Sequence, residues 1–133
     1  MNEPNQSFRD LTVYKKAFDL AMKIFEMTKT FPKEERYSLT DQIRRSSRAV
    51  CSCVAEAYRK RSYKAYFVSK SSDADMENSE TQSWLDFSYA CNYVADEMYK
   101  DLLARSEEVG RMLNHMVENP EKYLRREKKV GMQ

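Results

Sequence analysis

Two glycines and three prolines in 133 residues leave this chain little with which to punctuate strands and tight turns. Turns draw on Gly for positive φ and on Pro for its fixed φ, so their scarcity argues against a fold of many short strands. Leu, Ala, Met, Glu, Lys and Arg are common, and all favour helix. At this length the chain is expected to form one domain, long enough to bury a core without disulfides or metal.

Hydrophobic spacing supplies the helices. Leu11, Tyr14, Phe18, Ala21, Phe25 and Thr28 recur every three or four residues, with Ala17 and Ile24 widening the stripe. This predicts a helix over about 10–30, capped near Asp10 and ending before Pro32. Leu39, Ile43, Ser47, Val50, Val54 and Tyr58 predict a second over 38–61, with Ser38 or Thr40 as its cap. Its apolar face has a small-residue centre, which lets a neighbour approach closely. Met98, Leu102, Ser106, Val109, Leu113 and Met116 predict another over 95–118, followed by a short helical tail from Pro120.

Between these lies a harder stretch. Residues 63–67 and 84–91 carry Tyr63, Tyr66, Phe67, Trp84, Leu85, Phe87 and Cys91, but in residues 69–83 only Ala74 and Met76 are apolar. No Gly or Pro interrupts 62–92. A structureless connection of ~15 residues is uncommon in a compact domain. One long helix over 63–93 with a polar middle is therefore expected. Four such helices with short links fit an all-α, up-down-up-down bundle as one domain over 1–133.

The net charge of +2 hides an asymmetry. Arg44, Arg45, Arg48, Arg59, Lys60, Arg61 and Lys64 cluster in 44–64, opposed only by Glu56. Residues 73–97 hold Asp73, Asp75, Glu77, Glu80, Asp86, Asp96 and Glu97 with no Lys or Arg. Either the basic cluster meets phosphates in a salt-dependent way, or it pairs with the acidic helix beside it. The tail residues Lys122, Arg125, Arg126, Lys128 and Lys129 add little to this choice.

Enzyme chemistry finds no motif. A carboxylate-bridged di-iron bundle needs Glu-x-x-His pairs, and the one histidine, His115, follows Met112 at that spacing. His115 reads as a surface or helix-end residue. Cys51 and Cys53, two apart on a helix, point ~200° apart and cannot chelate one ion. With Cys91 they read as reduced, packed thiols, which suits a cytoplasm. No phosphate-binding glycine loop exists. No run approaches the ~20 apolar residues of a membrane span. Neither a cofactor nor a small-molecule substrate is implied.

The landmarks Phe31-Pro32, Glu35, Tyr37-Ser38-Leu39-Thr40, Gln42-Ile43-Arg44-Arg45, Ala55-Glu56, Glu80-Thr81-Gln82 and Trp84-Leu85 occur in a familiar order. Together they resemble the bacterial four-helix-bundle family encoded in intervening sequences of 23S ribosomal RNA genes, over roughly 8–117. That resemblance implies a left-handed bundle, a homopentameric ring, and RNA or a protein as further partners. It also points to relatives that act as nucleic-acid-binding accessory proteins of reverse transcriptases. This chain departs from the family pattern at Cys51, Cys53 and Ala57. In such an assembly Glu80 is expected to pair with Arg44 or Arg45, with Thr81 and Gln82 completing a buried polar network near Glu56. Trp84 is expected in the core or at a protomer interface.

Overall fold

The structure, a computed structural model, describes residues 7–125. Four α-helices follow in order: α1 Thr12–Thr28, α2 Leu39–Arg59, α3 Lys64–Ala90 and α4 Asp96–Glu118. Each packs on its sequence neighbours, α4 closes back onto α1, and the diagonal pairs stay apart. This is an up-down-up-down four-helix bundle, all-α among the described residues.

The helix ends explain themselves locally. Ser7 caps a 3-10 turn at Phe8–Asp10, where its hydroxyl accepts from Arg9 N and the Asp10 carboxylate accepts from Ser7 N. Asp10 therefore caps that turn and not α1, whose N-cap position is Leu11. Ser38 occupies the N-cap position of α2 but does not cap it. Its hydroxyl donates instead to Glu35 Oε1 at 2.7 Å. α3 stops at Ala90 because Asn92 takes φ 61°, the left-handed conformation that Asn tolerates. After Asn119 the expected tail helix amounts to one 3-10 turn, Pro120–Lys122. Arg126, Lys128 and Lys129 lie outside the described residues.

α3 runs unbroken through its polar middle, and the core shows why. One apolar cluster gathers Val50, Val54, Phe67, Ala74, Val109 and Leu113 near the α2–α3 turn. The other gathers Ile24, Phe31, Ile43, Leu85 and Leu102 near the opposite end. Between them sits a polar layer contributed by three helices. Asn78 Nδ2 donates to the Ser106 carbonyl at 2.9 Å, and Ser106 Oγ donates to Asn78 Oδ1 at 2.9 Å. Gln82 Nε2 donates to Ser106 Oγ at 3.1 Å. Thr81 Oγ1 lies 2.8 Å from Ser46 Oγ and 2.9 Å from the Glu77 carbonyl oxygen. A carbonyl can only accept and a hydroxyl has one hydrogen, so Thr81 donates to the Glu77 carbonyl and accepts from Ser46. Asn78, Thr81, Ser46 and Ser106 are all buried. The polar run thus supplies the middle of the core as well as the outside of the helix.

The stripe expected on α2 is buried throughout, and that on α4 is buried except at Met98. α1 differs. Its core face is Val13, Ala17, Leu20, Ala21, Ile24 and Met27. Tyr14 and Phe25 are only half-buried and Phe18 is 50% exposed, against the expectation that they line the core. α1 carries apolar residues for two adjacent faces, and the bundle consumes one.

Candidate functional site

The seven candidate cations divide into two groups, one on the first half of α2 and one around the α2–α3 turn. Arg44 turns toward α1, where Nε donates to Thr28 Oγ1 at 2.8 Å and the guanidinium lies 4.7 Å from the Phe25 ring centroid. Arg48, itself exposed, reaches the same ring at 5.7 Å. Arg45 is exposed and lies 4.0 Å from Asp41 one turn earlier. The remaining four surround the α2–α3 turn, eleven or more residues on, which at 1.5 Å per residue is at least ~16 Å along the axis.

Of the two alternatives for the basic cluster, its pairing with acidic α3 does not form among the described residues. Among the described residues the one ion pair between these helices runs the other way, from Lys70 on α3 to Glu56 on α2 at 3.4 Å. Lys70 also reaches Asp73 at 3.7 Å. The reason is facing. Arg45, Arg48 and Arg59 lie on the outward surface of α2. Glu80 is exposed as well, so its expected bond to Arg44 or Arg45 is absent among the described residues. Glu56 likewise stands outside the polar network, while Thr81 and Gln82 bond within it to Ser46 and Ser106.

Arg45, Arg48, Glu77 and Glu80 instead border a surface groove of ≈ 570 Å³ whose other lining residues include Ser46, Ala49 and Ser52. Partial burial holds the Glu77 carboxyl above its usual range, reinforced by the negative charges of Glu80 and Asp73.

At the α2–α3 turn the cations mix with aromatic rings. Lys60 Nζ lies 5.5 Å from the Tyr63 ring and 5.1 Å from the Tyr66 ring. Arg61 stacks 3.6 Å over Tyr58 and donates from Nε to the Tyr58 carbonyl, so it is fixed to the scaffold. Lys64 pairs with Glu121 at 2.6 Å. Arg59 is exposed and carries no ion pair among the described residues. The chain returns here at its other end, where Arg125 N donates to the Arg61 carbonyl. Tyr63 and Tyr66 belong to this site. The sequence had offered them as the start of an apolar stripe.

Trp84 is half-buried against the second apolar cluster, 5.9 Å from Phe87, and its buried Nε1 finds no acceptor among the described residues. His115 is exposed in the last turn of α4 and meets Tyr123 Oη at 2.6 Å. All three cysteines are free. Burial pushes the Cys51 thiol up to about 11, which makes it unreactive near neutral pH. Cys91 is exposed and is not packed as expected. Among the described residues no three His, Cys, Asp or Glu side chains form a metal-holding group, and no helix is long and apolar enough to cross a membrane.

No curated protein matches the chain. A solved structure from Bacteroides thetaiotaomicron, described as a protein with unknown function from the S23 ribosomal protein family, superposes with a TM-score of 0.73. It shares 26% identity, covering 80% of this chain and 96% of that one. Residues 9–115 match the family model described as 23S rRNA-intervening sequence protein, and the chain belongs to that family.

Proposed function

We propose that the chain is a non-enzymatic, self-associating scaffold or binding module, with the second face of α1 as its principal contact surface. The supporting observation is the pair of apolar grooves flanking that helix. One, between α1 and α2, has a volume of ≈ 470 Å³ and is lined by Tyr14, Phe18, Ala21, Met22 and Cys51 among others. The other, between α1 and α4, has a volume of ≈ 660 Å³ and includes Met22, Met27, Tyr93, Val94 and Met98. Met22 and Met98, 45% and 44% exposed, stand with Phe18 on the rims. Contiguous exposed apolar surface of this kind marks contact with another protein. Phe87 and Met76, exposed on α3, offer a second and different apolar surface. Two unlike surfaces suit a heterologous contact, which closes into a ring when the rotation allows. The homopentamer implied by the family resemblance is the assembly this reading favours. Light scattering after size exclusion tests it. A mass near five times 15.8 kDa is expected, and a single-protomer mass at all concentrations overturns it.

A second reading, nucleic-acid binding, is favoured by the cations that α3 leaves unpaired. Arg45 and Arg48 on one wall of a groove, and Arg59 and Lys60 farther along, keep outward charge that phosphates would neutralise. Binding that falls steeply with salt is its expected signature.

A further inference from the structure

We propose that the α2–α3 end of the bundle binds single-stranded nucleic acid, with Tyr63 and Tyr66 as stacking surfaces for bases and Arg59, Lys60 and Arg125 as phosphate contacts. The proposal rests on the nucleic-acid reading above and adds the place and the strand state.

Exposure carries the first step. Tyr63 is 64% exposed and Tyr66 45%, although both rings are large enough to have served the core. Among the described residues neither ring packs on another aromatic ring. What they meet is the Lys60 ammonium, poised between them at 5.5 and 5.1 Å. Two exposed rings that share a cation over their faces combine what an unpaired base and its phosphate demand.

Charge at this end carries the second. Arg59 and Lys60 project from the end of α2, and the chain returns at Arg125, whose backbone bonds to Arg61. Of the nearby acids, Glu121 is engaged by Lys64 and Glu56 by Lys70. α3 also begins here with no acidic residue in its first turn and no side-chain cap. A phosphate near these N–H groups therefore meets favourable partial charge, with the neighbouring Glu121 carboxylate already held by Lys64.

The rings then select the strand state. In a duplex the base faces are stacked on one another, and the A-form major groove is too narrow for side chains to read. A duplex can use the cations but not the tyrosines. Single strands present base faces that stack on aromatics without sequence preference.

The test is fluorescence anisotropy at low salt, with a labelled oligouridylate and an RNA duplex of equal length, on the intact chain. The single strand is expected to bind about tenfold more tightly than the duplex. Replacing both rings (Tyr63→Ala, Tyr66→Ala) is expected to weaken the single strand about tenfold or more and leave the duplex unchanged. The double Tyr→Phe variant, which keeps the ring faces, should bind as the parent does. Arg59→Ala with Lys60→Ala should weaken both probes and flatten the salt dependence. Equal affinity for both probes, or an unaffected Tyr→Ala variant, overturns the inference while leaving nucleic-acid binding in place. No binding of either probe sinks the nucleic-acid reading itself. Recruitment to vesicles containing phosphatidylserine, with no RNA bound, makes the patch a membrane-surface contact and overturns both.

Discussion

Asn78 and Gly110 depend on each other. A Cβ at Gly110 would stand 3.2 Å from Asn78 Nδ2, closer than ordinary van der Waals contact. Asn78 cannot yield, because both of its polar ends are bonded to Ser106 in a buried layer. Ala in place of an interior helical Gly normally gains ~1 kcal/mol. Here the displaced amide should outweigh that gain, and Gly110→Ala is expected to be destabilising by about 1 kcal/mol in urea unfolding. Truncating Asn78 itself removes two buried bonds and leaves a void. Asn78→Ala should cost about 2–4 kcal/mol. Glu80→Ala, by contrast, removes an exposed side chain with no ion pair among the described residues and should stay within about 0.5 kcal/mol of the parent. The sequence marks Glu80 and Thr81 equally as members of a polar run. Which of the two faces inward depends on the rotation of α3, and that is set by Phe67, Ala74 and Leu85, spaced too widely to read as a stripe.

α3 joins its partners through small polar residues, and each has its own cost. Ser88 Oγ bonds back to the Trp84 carbonyl, so its burial is satisfied within the helix. Ser71 is buried with no partner for its hydroxyl among the described residues. Ser71→Ala is therefore expected to raise stability by about 1 kcal/mol, readable as a higher denaturation midpoint with unchanged slope. The helix connections are held by a different device. Glu35, between α1 and α2, accepts from Ser38 and from Tyr93 Oη at 2.8 Å, tying that link to the α3–α4 turn. Those bonds, Ser38's first, hold the Glu35 carboxyl below its usual range. The bond to Glu35 pushes the Tyr93 phenol up to about 12. The Glu35 contribution is present above the unfolded carboxyl value of 4.5 and is lost as pH falls through its lower folded value. The Tyr93 contribution is present below 10 and is lost as pH rises toward 12. Tyr93→Phe should therefore lower the melting temperature most between about pH 5 and 10, with the gap closing on either side. It should also move acid unfolding to higher pH. No spacing rule finds this tie, because its members lie 58 residues apart in the chain. The helices themselves were legible, since Ile43, Val50 and Val54, or Leu102, Val109 and Leu113, recur at helical spacing and are buried.

The bundle as a whole leaves one apolar face uncovered, and this is where sequence and structure differ most usefully. Of the stripe expected on α1, Ala17, Ala21, Ile24 and Thr28 are buried, but Tyr14, Phe18 and Phe25 are not, and Val13, Leu20 and Met27 fill their place. Periodicity cannot choose between two adjacent apolar faces; the two neighbouring helices, α2 and α4, choose by covering one of them. The alternative that pairs the basic cluster with acidic α3 fails for a related reason. Arg45 and Arg48 are adjacent to acidic α3 in the topology, but their positions on α2 turn them to solvent. If the second face of α1 is a contact surface, its residues are dispensable for folding and necessary for association. Phe18→Ser combined with Met22→Ser should leave the melting temperature of the isolated bundle within a few degrees, because both side chains are largely exposed and removed from the packed core. The same pair of changes should reduce the light-scattering mass to that of one protomer, 15.8 kDa. An apolar contact is not weakened by added salt, so the parent's mass should hold from low to high ionic strength. A basic-to-acidic contact through Arg45 and Glu80 would dissociate under those conditions instead. Phe18→Ser with Met22→Ser that still assembles would move the contact away from α1, with the α3 surface at Met76 and Phe87 the next to change.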